Sequence, residues 1–66
     1  MERNIRLNWP DLVKEAVNRR KEQHLTQEQL AVLANVSKPT LNNFERGKTT
    51  ITLDSALKIL RTLGLE

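Results

Sequence analysis

The sequence predicts an all-α fold, a compact domain of four or five short helices. Three observations predict it: apolar residues recur at helical spacing, short polar residues stand where helix N-caps belong, and no strand is strongly indicated. The chain has 66 residues and no cysteine. This allows one small core, without a disulfide framework or a thiolate metal site. A core this small favours dimerisation.

Residues 1–8 are predicted to be an N-terminal arm, and residues 9–66 the helical domain. Apolar residues in the arm alternate with arginines, so it could be a disordered arm, a short strand or a basic tether. Disorder is the default at a terminus. Asn8 is the expected N-cap of the first helix, Pro10 suits its first turn, and the helix should run to about Gln23.

The second helix is predicted from a capping box that begins at Thr26. Its hydroxyl can accept a hydrogen bond from the amide of Gln29, whose side chain reaches back to the cap. The helix should continue to about Ala34, and Asn35 suits the left-handed position after it. The residues expected to face inward are Leu30, Ala31, Leu33 and Ala34.

The third and fourth helices follow from the same chemistry. Ser37 should cap the third helix, which continues to about Arg46 and ends at Gly47. Thr52 or the next residue opens the fourth helix, and Gly64 marks its end. The expected inner stripe of the fourth helix is Leu53, Ala56, Leu57, Leu60 and Leu63.

Two short helices joined by a tight turn, over about residues 26–46, form a helix-turn-helix, which places a helix end in the DNA major groove. Helical spacing turns Leu41 and Phe44 of the third helix to the core. Its outward face then carries amides, a hydroxyl and cations, and no carboxylate. A solvated surface is the plain alternative, but such surfaces usually mix acids with bases. The net charge of +3 also suits a polyanion.

Glu45 is the single acid of the third helix, and its angle places it beside the core. A half-buried carboxylate needs a partner, and Arg20, late in the first helix, is the natural candidate. The alternative is two surface charges that make separate contacts with water.

These residues resemble a known family, the lambda-repressor-like helix-turn-helix domains of the Cro, repressor and xenobiotic-response-element type. The segments LTQEQLA at residues 25–31 and FERGK at residues 44–48 look like its most recognisable parts. The run TLDSALKILRTLGL is similar to the helix after the loop in antitoxin-type and regulator-type members. The resemblance covers about residues 10–65, and its combined motifs are specific.

The resemblance implies a role for each matching residue. Lys38, Pro39 and Asn43 would look at base edges, joined by Asn42, and the others would bind phosphates. Pro39 departs from the family pattern, since it cannot make a polar base contact, although its ring could touch a thymine methyl. The implied DNA-binding residues are Gln27, Lys38, Pro39, Thr40, Asn42, Asn43, Arg46 and Lys48. Arg20 and Glu45 match an ion pair between the first and third helices.

The fourth helix holds more apolar surface than one small core requires, which favours a homodimer. A two-fold dimer would bind a near-palindromic site. Alternatively, the N-terminal arm covers this surface within one subunit. Many members of the family begin a fifth helix where this sequence ends, so the resemblance implies no dimer contacts through such a helix. The candidates for the dimer interface are Trp9, Ile51, Ile59, Leu63 and Leu65.

The leading hypothesis is a sequence-specific transcriptional repressor that binds double-stranded DNA. Such a protein would be of bacterial or phage origin and would act in the cytoplasm. The alternatives are an antitoxin that also binds a toxin, the DNA-targeting domain of a larger regulator, and a protein-interaction module. An enzyme is the weakest reading, because no catalytic constellation is visible and His24 lies in a polar link. No cofactor, metal or membrane partner is expected.

Overall fold

The computed structural model describes residues 8–65, and this part of the chain forms four helices and no strand. The predicted all-α fold class is confirmed. The predicted N-terminal arm, apart from Asn8, lies outside the described residues. Among residues 8–65, no helix is both long and apolar enough to cross a membrane. The helices are α1 (Trp9–Glu22), α2 (Gln27–Ala34), α3 (Lys38–Glu45) and α4 (Leu53–Thr62).

Each helix begins where a short polar side chain caps it. The Asn8 Oδ1 accepts a hydrogen bond from the amide of Asp11 at 3.3 Å. Thr26, Ser37 and Thr52 each accept from the amide three residues later, at 3.0, 3.2 and 3.1 Å. These bonds satisfy amides that no preceding turn can satisfy. The predicted N-caps Asn8, Thr26 and Ser37 are therefore confirmed, including the full capping box at the start of α2. Of the two residues that could open α4, Thr52 is the N-cap.

The turn between α2 and α3 depends on Asn35, which has the left-handed backbone conformation with φ 59°. The amide of Val36 then donates to the Ala31 carbonyl at 3.0 Å, which closes the end of α2. Asparagine tolerates this conformation better than most residues. His24 adopts the same φ of 59° in the link between α1 and α2, which the sequence did not indicate.

The third helix lies at the centre of the fold and packs against each of the other three helices. Its Leu41 and Phe44 are completely buried, as the helical spacing predicts. Burying side chains of this size contributes about 1.5–3 kcal/mol each. The orientation of α3 is therefore fixed by its inner side, which leaves the opposite side as a rigid surface.

Two parts of the predicted core are wrong. Leu33 and Leu53 are 62% and 75% exposed, and Ile59, which was left out of the predicted core, is buried. Leu63 is buried, as its place in the inner stripe predicts. Leu33 points away from the buried side of α2, which is narrow because the helix has only about two turns. The buried stripe of α4 is rotated towards Ile59, so Leu53 turns outward. Ile59 and Leu63 therefore belong to the core of a single chain.

Candidate nucleic-acid interface

The outer side of α3 carries most of the residues that were predicted to contact DNA; Gln27 lies at the start of α2, and Lys48 follows the end of α3. Lys38, Pro39 and Arg46 are exposed, while Asn42 and Asn43 are half-buried. None of these side chains is acidic. The surface therefore offers amide donors and acceptors together with positive charge, the groups that bind base edges and phosphates.

Glu45, the acid of α3, is turned inward and accepts hydrogen bonds from two residues. Arg20 holds it in a two-pronged arrangement, with Nε to Oε2 at 2.7 Å and Nη2 to Oε1 at 3.3 Å. The Nε2 of Gln27 also donates to Oε1, at 2.7 Å. Only 8% of the Glu45 side chain and 13% of the Arg20 side chain are exposed. Charge-assisted, bidentate bonds of this kind are geometrically specific.

This cluster, which we call the Glu45 hub, joins three helices. Arg20 comes from α1, Gln27 from α2 and Glu45 from α3. A further bond from the Arg20 Nη1 to the Leu25 carbonyl, at 2.7 Å, attaches the link between α1 and α2. The hub therefore fixes the angle between the two helices of the helix-turn-helix and removes the carboxylate of α3 from its outer face.

Gln27 has a second role that the sequence did not indicate. The resemblance implies that it binds a DNA phosphate, whereas the structure shows its amide nitrogen bonded to Glu45. A primary amide has two hydrogens, so one remains available for a phosphate oxygen. Only tertiary packing reveals the bond, because the two residues belong to different helices.

The outer polar side chains differ from those of the hub in having no partner within the described part of the chain. Among residues 8–65, none of them makes a side-chain hydrogen bond or ion pair. Charges and amides left in this state keep their full capacity for another molecule. The side chains in question are Lys38, Asn42, Asn43, Arg46 and Lys48.

The N-terminal end of α3 is also suited to an anion. Thr40 accepts a hydrogen bond from the Ser37 hydroxyl at 2.7 Å, so its own hydroxyl hydrogen remains free to donate. The first turn contains no acid. Because the helix dipole places partial positive charge at this end, a phosphate is favoured there.

Trp9 closes the other end of α3. Its indole Nε1 donates to the carbonyl of Gly47 at 3.1 Å. Its ring meets that of Phe44 edge to face, with centroids 5.6 Å apart and planes at 87°. From the sequence, Trp9 was predicted only as a candidate for the dimer interface. No pattern in the sequence predicted its hydrogen bond to Gly47.

An apolar groove lies between the start of α1 and α4. Trp9 and Leu65 line this groove, and Ile51 lines an adjoining depression that shares Trp9 and Leu53. These three of the five predicted dimer residues therefore reach the surface of one apolar region. Its other apolar lining residues are Leu12, Leu53, Ala56, Leu57 and Leu60.

A family model described as "Helix-turn-helix" matches residues 18–66 of this sequence. That span includes all of α2, α3 and α4, so it covers both the hub and the outer face. The chain belongs to the lambda-repressor-like helix-turn-helix family. The resemblance noted in the sequence is thus confirmed over most of its length.

A curated relative from Haemophilus influenzae is named as an uncharacterised HTH-type transcriptional regulator. It is 36% identical over 53 residues, which cover 80% of this chain and 54% of that protein. The chain thus spans about half the length of this relative. Membership of the lambda-repressor-like family supports a DNA-binding transcription regulator, a class that is typically not enzymatic.

Proposed function

We propose that this protein is a sequence-specific transcriptional repressor that binds a near-palindromic operator as a homodimer. The observation that carries the proposal is the contrast within α3. Its acid is directed into the Glu45 hub, while its outer face presents amides, a hydroxyl, cations and the ring of Pro39, without a carboxylate. A rigid helix with such a face suits the major groove, where base edges offer distinct patterns of donors and acceptors.

In this proposal, side chains of the first two turns of α3 contact the base edges. Asn43 and Asn42 have amides that can pair bidentately with adenine, and Lys38 can donate to guanine. Pro39 has only its ring to offer, which suits a thymine methyl. These side chains set the preferred sequence.

Phosphate binding surrounds this reading face and determines the register on the duplex. Gln27 contributes its remaining amide hydrogen, Thr40 its hydroxyl hydrogen, and Arg46 and Lys48 their charges. Each cation that neutralises a phosphate releases condensed counterions, which makes the affinity strongly dependent on salt. Occupying an operator in this way is sufficient to block transcription without any chemistry.

The homodimer is proposed through the apolar groove. Leu53 is 75% exposed at its edge, beside Trp9 and Ile51. Exposed apolar patches on a small domain usually mark an interaction surface. Two copies related by a two-fold axis would place their α3 helices in half-sites about 34–36 Å apart, one turn of DNA.

A second candidate function is an antitoxin, which would bind DNA and a toxin protein. The observation in its favour is a separate apolar patch on α2, where Val32 is 76% and Leu33 62% exposed. A small toxin-like reading frame beside this gene would support the antitoxin. If no such reading frame is present and the protein binds the operator as described next, the repressor is the favoured function.

The experiment that tests the proposal is a fluorescence-anisotropy titration of labelled DNA from upstream of this gene, at physiological salt, with scrambled DNA as competitor. We expect tight binding that scrambled DNA does not compete away. Weak binding that any DNA competes equally would contradict a sequence-reading repressor of its own gene.

Two asparagine variants supply a matched pair for that titration. Asn43→Ala removes an amide from the outer face of α3, whereas Asn18→Ala removes one from the exposed side of α1. The first should weaken operator binding and the second should leave it unchanged. Equal affinities for both variants and the parent would instead favour a protein-interaction module.

A further inference from the structure

We propose that Trp9 is a positioning residue for DNA binding, and that its indole N–H holds the Gly47–Lys48 peptide so that Lys48 is directed towards a phosphate. This inference rests on the proposed function, because it assigns Lys48 to the DNA backbone. It gives Trp9 a task on α3 that is independent of any contact with a second copy.

The peptide between Gly47 and Lys48 is held at both of its polar atoms. Its N–H donates to the Asn43 carbonyl at 3.1 Å, which ties it to α3. Its carbonyl accepts from the Trp9 indole at 3.1 Å, which ties it to α1. Two such bonds fix the plane of the peptide, and with it the N–Cα bond of Lys48, from whose end the side chain leaves the backbone.

Gly47 makes this arrangement possible. Its φ of 81° lies in the left-handed region, where a side chain would be strained. The conformation ends α3 by turning the chain so that the Lys48 amide can donate back to the Asn43 carbonyl, beside the bond from the Gly47 amide to the Phe44 carbonyl at 3.0 Å. Without the indole, the Gly47 carbonyl would have no partner among the described side chains.

The donor itself is well fixed. Trp9 is the first residue of α1, directly after the N-cap Asn8, and its ring packs edge to face against the fully buried Phe44. A rigid aromatic ring in contact with the core restricts where its N–H can point. The bond to Gly47 is therefore a stable attachment between the start of α1 and the end of α3.

Trp9 also lines the apolar groove proposed for the dimer, and the two roles depend on different parts of the ring. A dimer contact depends on its apolar area, whereas positioning depends on the N–H alone. Replacing the indole by a benzothiophene, with β-(3-benzothienyl)alanine at residue 9, exchanges the N–H for sulfur and keeps the shape. Trp9→Phe is the genetically encoded counterpart.

The experiment measures the dissociation constants of these two variants for the upstream DNA and for scrambled DNA, each in three backgrounds. The backgrounds are the parent, Lys48→Ala and, as a matched control, Lys38→Ala. Circular dichroism checks that each protein is folded, and sedimentation checks its oligomeric state. If Trp9→Phe does not fold, the benzothienyl variant alone supplies the test.

We expect removal of the N–H to weaken binding to both DNAs about 3- to 10-fold, the range for loss of one hydrogen bond. The loss should fall below about 2-fold when Lys48 is already alanine, because the two changes remove the same contact. It should persist in full with Lys38→Ala, whose side chain binds elsewhere.

Two results would overturn the inference while leaving the proposed function intact. One is a benzothienyl variant that binds DNA as tightly as the parent. The other is a loss of the same size in the Lys48→Ala background, which would mean that the N–H acts through another contact. If the parent binds no DNA at all, the proposed function fails and this inference fails with it.

Discussion

The inner and outer faces of α3 use polar side chains in opposite ways. On the inner side, Glu45 is 8% exposed and engaged by Arg20 and Gln27. On the outer side, Asn43 and Arg46 have no side-chain partner among the described residues. Under the proposed function, the difference teaches that positioning and recognition are assigned to separate residues of α3: the inner face holds the helix in place, and the outer face contacts DNA.

This comparison predicts two classes of variant. Changes at the hub should alter the stability of the fold, because a charge removed from water must keep its partner. Changes on the outer face should alter DNA binding at nearly constant stability, because polar side chains outside the core and without a partner in the described chain contribute little to folding. A hub variant that changed only DNA binding, or an outer-face variant that changed mainly stability, would contradict the comparison.

The largest effect is expected for Glu45→Ala. It leaves Arg20 largely buried without its carboxylate, and breaking a buried pair in this way costs about 3–5 kcal/mol. Urea unfolding followed by circular dichroism measures the change. The control is Glu15→Ala, which breaks an exposed pair with Arg19 at 3.8 Å and should cost no more than about 0.5 kcal/mol. Equal stabilities of the two variants would show that the hub does not hold the fold.

Asn43→Ala should have the next largest effect. Losing a bidentate base contact should cost about 1–3 kcal/mol on the operator and relax sequence preference at one base pair. Competition titrations against single-base variants of the operator measure the preference. A uniform loss on every DNA sequence would remove Asn43 from base reading.

Leu53→Glu should dissociate the proposed homodimer, because it places a charge in the apolar groove. We expect its dimer dissociation constant to rise at least about 10-fold, or ~1.4 kcal/mol. Sedimentation velocity over a concentration series measures this. The matched control is Leu33→Glu, which changes another largely exposed leucine, on α2. If both variants sediment like the parent, the groove is not the dimer interface.

The smallest effect is expected for Lys48→Ala. It should lower affinity for every DNA sequence and flatten the dependence of log affinity on log salt by about one. Titrations at four salt concentrations give this slope. An unchanged slope would take Lys48 out of the phosphate contacts, and would sharpen the comparison by restricting binding to α3 itself.

Local chemistry accounts for what the sequence predicted well. The caps at Asn8, Thr26, Ser37 and Thr52 depend on residues three positions away, so a short segment contains all the information. Asn35 was likewise predicted for its left-handed turn from its own backbone preference. These features together place all four helices.

Contacts between helices account for what the sequence did not predict. The burial of Ile59 and the exposure of Leu33 depend on which neighbour each helix meets, and helical spacing alone leaves that open. The bonds from Gln27 to Glu45 and from Trp9 to Gly47 join residues 18 and 38 positions apart. No spacing rule covers such pairs, which are formed only by the tertiary fold.

The central claim is that the outer face of α3 is the DNA-binding surface. The most direct test is a titration of the isotope-labelled protein with upstream duplex DNA, followed by NMR shifts of its backbone and side-chain amides. We predict that the largest changes fall on Gln27 and residues 37–48, with little change at Val32 and Leu33. Changes concentrated on the α2 patch or the apolar groove, with none along α3, would contradict the account.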